Sequence, residues 1–276
     1  MRKINFDLAG LDLIIDKNGK IWFIEANSFP GFFAEQFNDK KDHISKTLGE
    51  NLIAVLPSGL ELSERYINLI KSLTNFHIEY VENDNLPNLK TDPPRTKVIA
   101  WKSKWKPILE KNNYIINSSE ISALTSDKFK NYEAISSAKI NTPKTILAKS
   151  PQDIKKFIKE NNFKQIILKP RYGFRGEDIS IIGNQDLKSF KIDLDKKEYI
   201  AQEFIEVDSK NALYKDYRIL VAQNKYCGGI MRESHRPVVN ISLGGELKQI
   251  PNSLNEQFQP ISEKIVNTLI NSSRFL

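Results

Sequence analysis

The chain has 276 residues, 40% of them hydrophobic and 27% charged, a globular balance long enough to bury one large or two small cores and far from the composition of a disordered chain. No apolar stretch approaches the roughly 18 residues of a membrane helix, which excludes helical membrane spans. The 41 basic and 34 acidic residues leave +7, an excess compatible with nucleic acid, nucleotide phosphates or a lysine-rich surface; in KKDHISK and DLDKKE the lysines are interleaved with acids, so a solvated face is expected and a dedicated nucleic-acid surface is not.

The opening MRKINFDLAGLDLIID starts basic, as a secretory signal does, but Asp7, Asp12 and Asp16 interrupt the apolar run such a signal needs, and a cytoplasmic protein is expected. Residues 4–33 predict a hairpin: LAGLDLIID and IWFIEANSFPG have strand chemistry and KNGK supplies the turn. The polar stretch QFNDKKDHISKTLGEN predicts a helix or linker, with a boundary near residue 48. NLIAVLP, LSERYINLIKSLTNF and FHIEYVE then predict a β-α-β unit, NDNLPNLKTDPPR a loop, TKVIAWKS a strand, KWKPILEKNN a helix and YIIN a short strand. Beyond Ser119, SEISALTSDKFKNYEAISSAKI predicts helix, TPKTILAK a strand and SPQDIKKFIKENNF a helix capped by its serine. QIILKPRYGFRGEDISII predicts two strands around a glycine-containing loop. KEYIAQEFIEV, DYRILVAQ and KYCGGIMRES predict antiparallel strands, and ISEKIVNTLINSSRFL a closing amphipathic helix. The expected organisation is a mixed α/β protein with a hairpin and linker over residues 1–47, a small α/β domain over 48–117 and a larger region over 118–276.

One cysteine, Cys227, cannot form an internal disulfide, and His43, His77 and His235 make a poor zinc set, so any metal must be held by oxygen. Asp12, Glu25 and Asn27 supply such oxygens. Glu25 and Asn27 are two apart on one strand and share a face, which Asp12 on the partner strand can also reach, and a few hard oxygens completed by phosphate and water suit magnesium. The plain alternative is a half-exposed hairpin whose acids face water; the apolar neighbours Leu11, Leu13, Ile24 and Ala26 argue for burial. Lys169 ends the strand IILK ahead of a turn containing Gly173 and Gly176, whose backbone N–H groups could lie against phosphate oxygens, although such a sequence is often only a hairpin. Gln202-Glu203-Phe204-Ile205 could meet an adenine edge with backbone groups and an apolar wall. Asp216, Arg218, Arg232 and Asn240 follow; the arginines could bind phosphates across adjacent strands or form ordinary salt bridges.

Together DKFKNY, ILKPRYGFRG, AQEFI, KDYRILV, MRES with NISLGG, and AGLDLII with IEANSFPG resemble successive segments of ATP-grasp carboxylate–amine ligases, nearest to the ribosomal-protein glutamate ligase branch and more distantly to D-alanyl-D-alanine ligases. The resemblance covers residues 118–276 and 1–35. It implies an ATP-grasp fold with a small preceding domain, ATP and magnesium as cofactors, and amide formation from small-molecule or peptide carboxylate and amine substrates through an acyl phosphate. It further implies Asp12, Glu25 and Asn27 as magnesium ligands, Lys128 and Lys169 on the phosphates, Glu203, Phe204 and Ile205 at the adenine, Asp216 or its rival Asp208 at the ribose, and Arg218, Arg232 and Asn240 on the phosphate and acyl-phosphate side. Residues 172–176 would form a closing loop. An ATP-binding regulatory protein without turnover is the alternative, separable by ADP release.

The order departs from the family, in which the AGLDLII and EANSFPG hairpin comes last; here it comes first. A circular permutation within one chain is expected, because domain termini often lie close together. A homodimer exchanging hairpins, or a boundary leaving both halves incomplete, are the alternatives.

Overall fold

The computed structural model describes residues 4–28, 40–92, 95–173, 178–183, 185–186, 197–207, 213–237, 239 and 245–274. In chain order the elements are β1 (Leu8–Ile15), β2 (Ile21–Asn27), α1 (Lys41–Leu48), β3 (Asn51–Pro57), α2 (Glu64–Lys71), β4 (Asn75–Val81), β5 (Thr96–Ala100), α3 (Lys106–Leu109), β6 (Ile115–Ile116), α4 (Ser119–Ser126), α5 (Lys128–Ser137), β7 (Thr145–Ala148), α6 (Pro151–Asn161), β8 (Gln165–Pro170), β9 (Ser180–Gly183), β10 (Tyr199–Glu203), β11 (Tyr214–Ala222), β12 (Lys225–Ser234), β13 (Glu246–Gln249) and α7 (Asn252–Ser273). They build a parallel sheet in the order β4-β3-β5-β6, an antiparallel sheet β7-β10-β8-β9, and an antiparallel sheet β13-β12-β11-β1-β2 that contains the N-terminal hairpin.

The two-residue period of the strands sorts this last sheet into an apolar and a charged face. Ala9, Leu11 and Leu13 of β1 and Tyr217, Ile219 and Val221 of β11 point one way and join Phe258, Ile265, Val266 and Leu269 of α7 in one core. Leu8, Gly10 and Asp12 alternate with them, as do Asp216, Arg218, Leu220 and Ala222. The register pairs Asp12 with Arg218 on one side and with Glu25 on the other, and Asp216 with Arg232. A bulge after Asp12 lets both Phe23 and Ala26 enter the core although they are three apart, which puts Glu25 beside Asp12. Farther along the charged face, Leu8, Leu220, Ala222 and Cys227 are apolar and pack with Ile44 and Leu48 of α1 and Leu52 of β3.

Three helices and one strand differ from the sequence expectation. The helix expected from 119 onward is broken at Asp127, whose carboxylate accepts the Phe129 and Lys130 backbone N–H groups and so starts α5 anew. The helix expected in KWKPILEKNN shrinks to a 3₁₀ turn at Ser103–Trp105 followed by the single turn of α3. The last helix begins earlier, at Asn252, and runs through Pro260, which forfeits a backbone donor that the apolar face offsets. Strand β13 has no sequence signal, since ELKQ holds one apolar residue.

The hairpin is tied to the parallel sheet by Asn117. Its fully buried amide donates to Leu8 O and Ser28 O, each at 2.7 Å, and accepts from Leu8 N at 2.8 Å, satisfying backbone at the start of β1 and the exit of β2. Replacing Asn117 by Ala strands these groups, and the expected loss is about 3 kcal/mol of unfolding free energy in urea titrations. An exposed control, Asn112→Ala, should change stability by no more than about 0.5 kcal/mol.

Candidate active site

The charged face of the five-stranded sheet carries a compact ionic network. Arg218 binds Asp12 with Nε and Nη2, both at 2.8 Å, and Arg232 approaches the same carboxylate at 3.3 Å. Arg232 also forks onto Asp216, with Nε at 2.5 Å and Nη2 at 2.6 Å. The set is held by three neighbouring strands, and bidentate geometry fixes both guanidinium planes. Burial works against the Asp12 charge, but Arg218 and Arg232 outweigh it and hold the carboxyl well below its usual range. Burial pushes Asp216 up to about 6, with Arg232 opposing and the Asp12 charge adding to the rise. Burial also works against the Arg232 charge, but Asp12 and Asp216 dominate and raise its pKa.

Lys169 faces this network from the other antiparallel sheet. It sits on β8, paired with Ile200 of β10, and is 5% exposed. Burial lowers its pKa to about 8; Glu25 and Asp12 favour its charge and Lys128 opposes it. Lysines from β8 and α5 and acids from the hairpin thus share one electrostatic neighbourhood. No described residue accepts a hydrogen bond from Lys169 Nζ, and the charges that act on it are those of Glu25, Lys128 and Asp12. Lys128 donates through Nζ to Gly173 O and through its backbone N–H to Arg171 O.

The strand expected at an adenine is β10. Its end is ordered by Glu203 N donating to Lys144 O at 2.9 Å and Glu203 Oε2 accepting from Lys144 N at 3.1 Å, while Ile205 is buried and Phe204 half-buried just beyond. The turn of the hairpin docks there: Lys17 N donates to Glu206 O at 3.1 Å, Lys17 Nζ pairs with Glu206 at 2.6 Å, and Asp16 bridges Val207. Both oxygens of Asp216 accept from Arg232, and Asp216 lies on a different sheet from β10. Asp208, Asn240 and Gly176 lie outside the described residues, as does most of the expected closing loop. Sequence reasoning missed Asp127 and Arg171. Arg171 forks onto Asp127 with Nε at 2.9 Å and Nη2 at 2.6 Å, and Tyr172 Oη donates to the same carboxylate at 3.1 Å. The acid ahead of KFK was the available sign of a helix cap.

The expected magnesium ligands meet on one face, and an orphaned group tests their fit. Asn27 Nδ2 is buried without a partner, and rotating the amide by half a turn offers its oxygen at the same place. No described residue hydrogen-bonds the Glu25 carboxylate. Asp12 is instead engaged by two arginines. Among the described residues no three carboxylate, imidazole or thiol groups converge on a metal position, so a cation here would rely on two carboxylates, an amide and phosphate oxygens, a donor set that suits magnesium.

Comparison with known proteins adds an independent line. The RimK-like ATP-grasp domain matches residues 125–269, over half of the chain, and the YheC/D-like ATP-grasp matches residues 3–54. A coenzyme gamma-F420-2:alpha-L-glutamate ligase from Methanocaldococcus jannaschii is 32% identical over 151 residues, 54% of this chain and 51% of the relative. The ligase of the same name from Methanococcus maripaludis is 30% identical over 173 residues, 62% and 59% of the two chains. The chain thus spans about half the length of the curated relatives it matches. Among solved structures, a protein from Methylobacillus flagellatus described as a gamma-glutamylcysteine synthetase superposes with a TM-score of 0.59 at 12% identity, covering 96% of this chain and 88% of its own. That likeness is one of fold. Among the described residues no helix is long and apolar enough to cross a membrane.

The Lys169 environment has a measurable consequence. Its folded pKa of about 8 lies below the ordinary 10.5, so the penalty for burying the charge is fully present below pH 8 and disappears as pH rises towards 10.5. Lys169→Met should therefore be more stable than the parent protein at pH 7, with the gap narrowing between pH 8 and 10.5 in denaturant titrations. A gap that does not change with pH would contradict the burial of a charged Lys169.

Proposed function

Because the chain belongs to the RimK-like ATP-grasp domain family, we propose that it is an ATP-dependent carboxylate–amine ligase. A carboxylate is activated as an acyl phosphate, an amine attacks it, and an amide, ADP and phosphate are released. The observation that carries this reading is that Lys169 of one antiparallel sheet lies within reach of the charges of Lys128 and of the hairpin acids Glu25 and Asp12, which belong to the other sheet. Cations that bind phosphate and oxygens that bind a divalent ion are the two halves of a phosphoryl-transfer site.

In this reading Lys128 and Lys169 bind the phosphates, and the segment of Glu203, Phe204 and Ile205 receives the adenine. Asp12, Glu25 and Asn27 hold magnesium, which when bound neutralises phosphate charge and orients the transferred group. Arg218 and Arg232, held in plane by Asp12 and Asp216, offset charge on the transferred phosphoryl group, a contribution that depends on donors fixed before the reaction. Asn240 belongs to this side by the family resemblance. Residues 48–117 form the preceding small domain, 118–276 the nucleotide-binding region, and 1–47 the segment that completes it. The substrates are a small-molecule or peptide carboxylate and an amine. The chain order is a circular permutation completed within one molecule: the pairing of β1 with β11 and the docking of Lys17 on Glu206 support it.

Glu25→Gln tests the reading. It removes a charge from a half-buried site without opening the core, so the circular dichroism spectrum should be unchanged while magnesium-dependent ADP release falls by about a hundredfold or more. A Glu25→Gln protein with full ADP release would remove Glu25 from the metal site.

A further inference from the structure

Lys128 and Lys169 come from different elements, a helix and a strand, and two neighbouring cations repel. The lowering of the Lys169 pKa by Lys128 records that repulsion. Something must therefore fix the start of α5 against the end of β8. We propose that Asp127 and Arg171 form a clamp that sets the separation of the two lysines, making both of them positioning residues for the triphosphate of a nucleotide; this rests on the reading of Lys128 and Lys169 as phosphate ligands.

The geometry leaves Arg171 little scope for another role. Its three guanidinium nitrogens all donate to carboxylates: Nε and Nη2 to Asp127, and Nη1 to Glu198 at 3.2 Å. Three of its five N–H donors are thereby committed to protein acids. Asp127 is equally committed. Its side chain is 2% exposed, and it accepts from Phe129 N, Lys130 N, Arg171 and Tyr172 Oη. These bonds overcome the burial that would raise the Asp127 pKa, so that it is lowered instead.

The clamp acts next to each lysine. Asp127 immediately precedes Lys128, and Arg171 follows Lys169 with only Pro170 between them, whose ring fixes φ. The backbone repeats the tie, since Lys128 N donates to Arg171 O at 3.1 Å and Arg171 N to Glu198 O at 2.8 Å. A guanidinium fork holds distance and angle together, which an ammonium group, a compact point charge, does not.

The test is a double-mutant cycle on the full chain, read by calorimetric titration with ATP plus magnesium and, separately, with adenosine. Arg171→Gln should weaken ATP binding by about tenfold, the scale of one mispositioned charge-assisted hydrogen bond, and leave adenosine binding unchanged. Arg171→Lys should not restore ATP affinity, because the charge returns without the fork. In a Lys128→Ala background, Arg171→Gln should cost no further ATP affinity. Restoration by Arg171→Lys would mean that the residue acts as a bare cation, and full additivity with Lys128→Ala that it acts on its own; either overturns the clamp. Equal losses for ATP and adenosine would overturn it as well, showing support of the fold alone. If the unaltered chain binds no ATP, the nucleotide reading fails and the clamp's role fails with it, a result distinct from all the others.

Discussion

The site depends on one strand pairing. β1 lies antiparallel to β11 in a register that sets Asp12 opposite Arg218, and from that register the rest of the charged face follows. Glu25 is carried to Asp12 by the hairpin, Arg232 is carried to Asp216 by the next strand, and the arginines then bridge the acids. A slip of one residue would exchange the faces, turning Asp12 into the core that holds Phe258 and Ile265 and turning Leu11 and Leu13 out of it. The cost of such a slip is the loss of both a core and an ionic network, which is why the register is well specified.

The same network shows how charge is tolerated at low exposure. Asp12, Asp216 and Arg232 are all removed from solvent, yet each has an opposite charge with two-point geometry. An isolated member would carry a penalty of several kcal/mol. Lys169 differs from them: no described acceptor hydrogen-bonds it, and burial lowers its pKa to about 8. On the hairpin side Asn27 Nδ2 is buried without a partner, and no described residue hydrogen-bonds the Glu25 carboxylate.

Most of the fold was legible because its strands and helices have clear periods. The hairpin, the β-α-β unit, the serine cap ahead of α6 and the antiparallel strands lie where alternation and turn chemistry place them. Elements that the sequence obscured have physical reasons. The break at Asp127 depends on a helix cap inside a continuous helical pattern, β13 on pairing with β12, and the early start of α7 on core contacts that tolerate Pro260. Of the candidate site, Asp12, Glu25, Arg218 and Arg232 were singled out by type and spacing, with salt bridges as one reading of the arginines, but which acid each would meet was not legible, since that is a property of register. Asp127, Arg171 and Asn117 make contacts between segments far apart in the chain, and no local pattern reports those.

In the proposed arrangement the hairpin completes the nucleotide site of its own chain. The turn of the hairpin meets the segment after β10 at Lys17 and Glu206, which lie in contact. Cysteines placed at both positions, in the Lys17→Cys, Glu206→Cys protein, should oxidise at low protein concentration to a cross-link within one chain, since native Cys227 is buried. Non-reducing electrophoresis would then show a faster-migrating monomer. A covalent dimer formed in its place, with no cross-linked monomer, would contradict the account and assign each hairpin to the cleft of another chain.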